Sequence, residues 1–65
     1  MYTTRNNADG STSVLDQRGK VFSTVLGHRN ALVQQDSDGN EVLVTWPRDQ
    51  WEGSPPDFGV YVLPR

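Results

Sequence analysis

The fold class turns on one stretch, Ala31-Leu32-Val33-Gln34-Gln35-Asp36-Ser37-Asp38-Gly39-Asn40-Glu41-Val42-Leu43-Val44-Thr45-Trp46. Two runs of aliphatic and β-branched residues, which favour a pleated surface, flank an Asp-Gly pair. Glycine takes a positive φ without steric cost, so Asp38-Gly39 marks a hairpin turn. A four-residue loop over 36–39 sets Val33 opposite Val42, Leu32 opposite Leu43 and Ala31 opposite Val44. A two-residue loop shifts the pairs but keeps the same faces. A three-residue loop would bring Leu32 and Gln34 against the valines, so an even-length loop is expected. The expected core face is then Ala31, Val33, Val42, Val44 and Trp46. The other face, Leu32, Gln34, Glu41, Leu43 and Thr45, is half apolar, which implies that something covers it too.

Outward from this hairpin the pattern repeats. Residues 13–15, 20–26, 30–35, 41–46 and 58–63 read as strands, separated by turn residues such as Asp16-Gln17-Arg18-Gly19 and Gly27-His28-Arg29. Short strands at this spacing indicate an antiparallel all-β domain, and no helical period competes with them. After Trp46 come Pro47-Arg48-Asp49-Gln50-Trp51-Glu52-Gly53, where an initial proline and a terminal glycine suit one helical turn over 47–52. Pro55-Pro56 then forms a stiff link into the last strand. A meander, a helical turn and a closing strand resemble the architecture of an SH3-like barrel, with none of the signatures of peptide-binding SH3 domains. The expectation is a small five-stranded barrel over residues 13–65, preceded by a polar, frayed segment over residues 1–12. Val33, Val42, Val44 and Val60 are its expected core, with Phe22 or Leu26 against them.

Composition narrows the function classes. The chain has 65 residues and 7.3 kDa, of which 34% are apolar, with mean hydropathy −0.66. A chain of this size buries only about 60% of its unfolded surface. With no cysteine, disulfides are absent and so are the strongest zinc ligands. The longest apolar run is Val42-Leu43-Val44, far short of a membrane span or signal core. With Met1 at its start and no targeting pattern, the chain reads as a complete cytoplasmic gene product with no membrane role. A net charge of −2 and a pI near 5.0 lack the basic character of a nucleic-acid module.

Motifs for chemistry are equally sparse. Read as an EF-hand loop, Asp36-Ser37-Asp38-Gly39 would need a glutamate where Thr45 stands. His28 is the lone histidine, with no second imidazole or thiol to join it on a metal. The glycines stand singly and form no phosphate loop. A 65-residue barrel also has little room for a substrate pocket. The chain therefore reads as non-enzymatic, with no cofactor and no metal, and a homo-oligomer with a shared catalytic pore is an outlying alternative. A single-stranded nucleic-acid binder is the stronger rival. It would stack bases on Phe22, Trp46, Trp51, Phe58 or Tyr61 beside Arg18, Lys20, Arg29 and Arg48.

The leading expectation is a small protein-binding module, a regulator or accessory subunit, with homo-oligomer formation left open. Its site is expected in the proline-rich loop after Trp46. There Arg48 and Trp51 serve as contact residues, Asp49 and Glu52 as polar rim, and Phe58 as an apolar neighbour.

Overall fold

The computed structural model describes residues 1–49 and 58–65. Among these the chain is all-β, with six strands: β1 Thr3–Asn6, β2 Thr12–Leu15, β3 Val21–Val25, β4 Arg29–Gln35, β5 Glu41–Pro47 and β6 Gly59–Val62. They form two antiparallel three-stranded sheets, β1-β2-β3 and β4-β5-β6. The five-stranded expectation is thus corrected to six strands in two sheets that do not close into one barrel. The additional strand comes from the segment expected to fray, where Thr3 to Asn6 pair with Leu15 to Thr12. Pro47, expected to open a helical turn, instead ends β5 opposite Arg29, and the rest of that turn beyond Asp49 lies outside the described residues.

Three of the hairpin turns share one construction. In Asn7–Ser11, Asp16–Lys20 and Asp36–Asn40 the first amide donates to the fifth carbonyl at 2.8–2.9 Å. The glycine amide donates back to the first carbonyl at 3.0–3.1 Å. This is a three-residue loop whose last residue is left-handed, and Gly10, Gly19 and Gly39 have φ of 89°, 79° and 82°. Asp16 and Asp36 reinforce it, because each carboxylate accepts from two amides of its own turn.

The Lys20 amide holds the Asp16 carboxyl below its usual range, and the Ser11 hydroxyl and amide do the same for Asp9. Since the folded state prefers the ionised forms, their support is present above the ordinary carboxylate pKa and fades as pH falls through the lowered values. Asp16→Asn should accordingly narrow the loss of stability between pH 5 and pH 2.5. Urea midpoints at both pH values measure this, and an undiminished loss in the variant would refute it.

The odd loop length corrects the expected register. Val33 lies opposite Leu43, Leu32 opposite Val44, and Gln34 opposite Val42. The inner face of β4 and β5 therefore carries Ala31, Val33, Leu43 and Thr45 rather than Val42 and Val44. The core is small: Val14 and Val25 from the first sheet meet Leu43 and Leu63 from the second, with Tyr2, Ala31 and Val33 packed around them. Of the expected core, Val42 is buried on the outer face, Val33 and Val44 are half-buried, and Val60 is exposed. Phe22 and Leu26 are exposed as well. Polar bonds join the sheets. The Tyr2 amide donates to Glu41 Oε1 at 2.9 Å, the Tyr2 hydroxyl to the Pro64 carbonyl at 2.6 Å, and Arg48 Nη2 to the Gly10 carbonyl at 3.0 Å.

Candidate functional site

The four outer strands of the two sheets differ sharply. β1 reads Thr-Thr-Arg-Asn and β4 includes Arg29, Gln34 and Gln35, polar and charged residues that discourage further pairing. β3 reads Val-Phe-Ser-Thr-Val and β6 reads Gly-Val-Tyr-Val, with no charge in either. Between these two uncharged strands runs an open groove of about 500 Å³. Phe22, Val25 and Leu26 line one wall, and Tyr61, Val62 and Leu63 the other, with Leu43 among the lining residues. No acidic residue lines it.

Local sequence puts each wall in place. On β3, Val14 pairs with Ser23 but Leu15 pairs with Val21, so a bulge accommodates Phe22 as an extra residue. The Phe22 ring then meets Tyr2 edge-on, with centroids 5.5 Å apart. On β6, Gly59 lies opposite Thr45. A Cβ at Gly59 would stand 2.8 Å from the Thr45 hydroxyl and 2.9 Å from the Tyr61 ring, so glycine leaves the space that Tyr61 occupies. Thr45 in turn accepts from Arg29 Nε and Nη2 at 3.3 and 3.1 Å.

Backbone direction follows from one bond. The Leu63 amide donates to the Glu41 carbonyl at 2.9 Å, so Leu63 faces β5. Antiparallel pairs alternate, hence Tyr61 and Gly59 also turn their backbone groups toward β5. Val60 and Val62 turn theirs toward the open edge. Their side chains are 60% and 68% exposed, and Tyr61 is 57% exposed.

The residues proposed from sequence are dispersed. Arg48 is engaged at the junction of the sheets, donating to the carbonyls of Gly10 and Arg29. Asp49 is exposed in the turn after β5. Trp51 and Glu52 lie outside the described residues. Phe58 is half exposed and rests against Trp46 at 5.8 Å between centroids, on the outer face of the second sheet. Of the groove residues, Phe22 and Tyr61 enter the sequence reading as site residues only as base-stacking candidates of the nucleic-acid alternative, and Leu26 and Val62 not at all. Their signal was present in the last strand: Phe58-Gly59-Val60-Tyr61-Val62-Leu63 is apolar at both parities, more than one core face requires.

Among the described residues no three His, Asp or Glu side chains converge as metal ligands, and no helix is long and apolar enough to cross a membrane. Comparison with protein families, curated proteins and solved structures yields no match.

Proposed function

We propose that the chain is a non-enzymatic protein-binding module, a regulator or accessory subunit, and that its partner docks along the groove between β3 and β6. One observation carries this reading: the two uncharged strands, each without a second neighbouring strand among the described residues, flank the same apolar groove, while the polar strands β1 and β4 lie at the other edges. An extended segment placed there would gain main-chain hydrogen bonds from the Val60 and Val62 backbone and apolar contact from Phe22, Leu26 and Tyr61. In such a complex the docked strand would bridge the first sheet and β6, which do not pair among the described residues. The nucleic-acid alternative has less support, since of Arg18, Lys20, Arg29 and Arg48 the groove is lined by Arg29 alone.

Both Phe22 and Tyr61 are about half exposed, so replacing them leaves the core intact. Aromatic anchors of this kind typically contribute ~2 kcal/mol or more, equivalent to at least ~30-fold in affinity. The double variant Phe22→Asp/Tyr61→Asp should therefore fold as the wild type does and lose its protein partner. Affinity purification from the native host, with circular dichroism as the folding control, measures this. A folded double variant that retains the partner at wild-type yield would refute the groove as the site.

A further inference from the structure

We infer that the partner taken up at the β6 edge is a second copy of this chain, joined through antiparallel β6–β6 pairing across a two-fold axis. The inference rests on the reading of this edge as a binding surface and goes further by naming the occupant.

The geometry of β6 suits self-pairing. Val60 and Val62 are the residues whose N–H and C=O groups turn outward, and they stand two apart. With the axis at Tyr61, Val60 of one copy lies opposite Val62 of the other, and each such pair exchanges two main-chain hydrogen bonds. Tyr61 then faces its own symmetry mate at the closer, non-hydrogen-bonded position, where cross-strand aromatic pairs are favourable. Pro64, which has no amide proton, ends the ladder. The result is one continuous sheet, β4-β5-β6 followed by the same strands of the second copy in reverse. A two-fold contact uses the same patch twice, so β6 needs no complementary surface elsewhere.

Charge and exposure agree with this. A strand without charge pairs with itself at no electrostatic cost, in contrast to β1 with Arg5 or β4 with Arg29. Phe22, Leu26, Phe58, Val60, Tyr61 and Val62 are each 47–68% exposed. Val60, Tyr61 and Val62 lie on the pairing strand itself, Phe22 and Leu26 across the groove and Phe58 on the outer face, so exposed apolar surface flanks the seam on both faces of β6. The core also calls for added support. Among the described residues it is built on four buried apolar side chains, Val14, Val25, Leu43 and Leu63, and the chain has no cysteine. Chains this small commonly draw stability from association.

Sedimentation or light scattering on the purified chain at about 100 µM tests the inference, with a mass of twice 7.3 kDa expected. Val62→Pro removes an outward amide proton that takes no partner among the described residues, and Val62→Lys places a charge beside the two-fold axis. Both should be monomeric, and Val62→Lys decides the matter if the proline variant fails to fold. A monomeric wild type, or a dimer that survives in folded Val62→Lys, overturns the inference. The groove reading is judged separately: a monomeric wild type whose host partner is released by Phe22→Asp/Tyr61→Asp overturns the dimer alone, and retention of that partner overturns both.

Discussion

Val14→Asp should abolish the cooperative unfolding transition at pH 7. Val14 has no exposed surface, and its side chain sits where the two sheets meet, against Val25, Leu43 and Leu63. A carboxylate there would lose its water without gaining a cationic partner, at a cost of several kcal/mol. A domain of this size has only about 3–5 kcal/mol to lose. Two controls separate burial of charge from disruption of the strand. Leu15→Asp, one residue along on the opposite face of β2, should retain a transition, and Val14→Asp should regain partial structure near pH 4 as the carboxyl protonates. Thermal melts followed by circular dichroism suffice, and a wild-type-like melt for Val14→Asp at pH 7 would contradict the assigned core.

Leu43→Ala should destabilise by about 2–4 kcal/mol, whereas Val44→Ala should cost about 1 kcal/mol or less. The two positions are adjacent on β5, so strand propensity and hydrogen bonding scarcely distinguish them. Packing does. Leu43 is 6% exposed and belongs to the shared core, while Val44 lies half-buried on the outer face opposite Leu32. Removing Leu43 opens a cavity bounded by both sheets, and removing Val44 thins a surface that solvent already reaches. Urea midpoints for the two variants give the comparison directly. Equal losses, or a larger one at Val44, would favour the even-loop register over the observed one.

That comparison also marks where sequence reasoning succeeds and where it stops. Five of the six strands and the Asp36–Gly39 hairpin tip follow from turn residues and β-branched runs. The register did not, because β5 is apolar on both faces: Val42 and Val44 on one, Leu43 on the other. With two apolar faces, periodicity cannot say which is inside, and the choice falls to the turn. The turn held the answer in a pattern that recurs. Asp16-Gln17-Arg18-Gly19-Lys20 and Asp36-Ser37-Asp38-Gly39-Asn40 both carry aspartate first and glycine fourth, the arrangement of a three-residue loop with a left-handed glycine. β1 was missed because Thr3 to Asn6 contain no apolar residue. What commits them to a strand is their partner, β2, which a local reading does not see.

The groove was illegible for a different reason. Phe22 and Tyr61 are aromatic residues in apolar strands; in a chain with so little core Phe22 reads as core, and Tyr61 reads only as a base-stacking candidate. Their exposure depends on β3 and β6 standing at outer positions of separate sheets. That is a property of strand order, not of either strand's own sequence.

The bonds that join the sheets have an entropic consequence. Each Asx-to-glycine turn closes a loop of a few residues, while Tyr2 reaches Glu41 across 39 positions and Pro64 across 62. Loop-closure entropy grows with the logarithm of length, so closing the longer of these costs about 2–3 kcal/mol more than closing a turn. A single hydrogen bond returns only about 0.5–1.5 kcal/mol net. Neither Tyr2 contact could therefore persist alone. The halves hold because both bonds share one residue and one closure with the apolar contacts around it, so the restriction imposed on the chain is incurred once and serves them all.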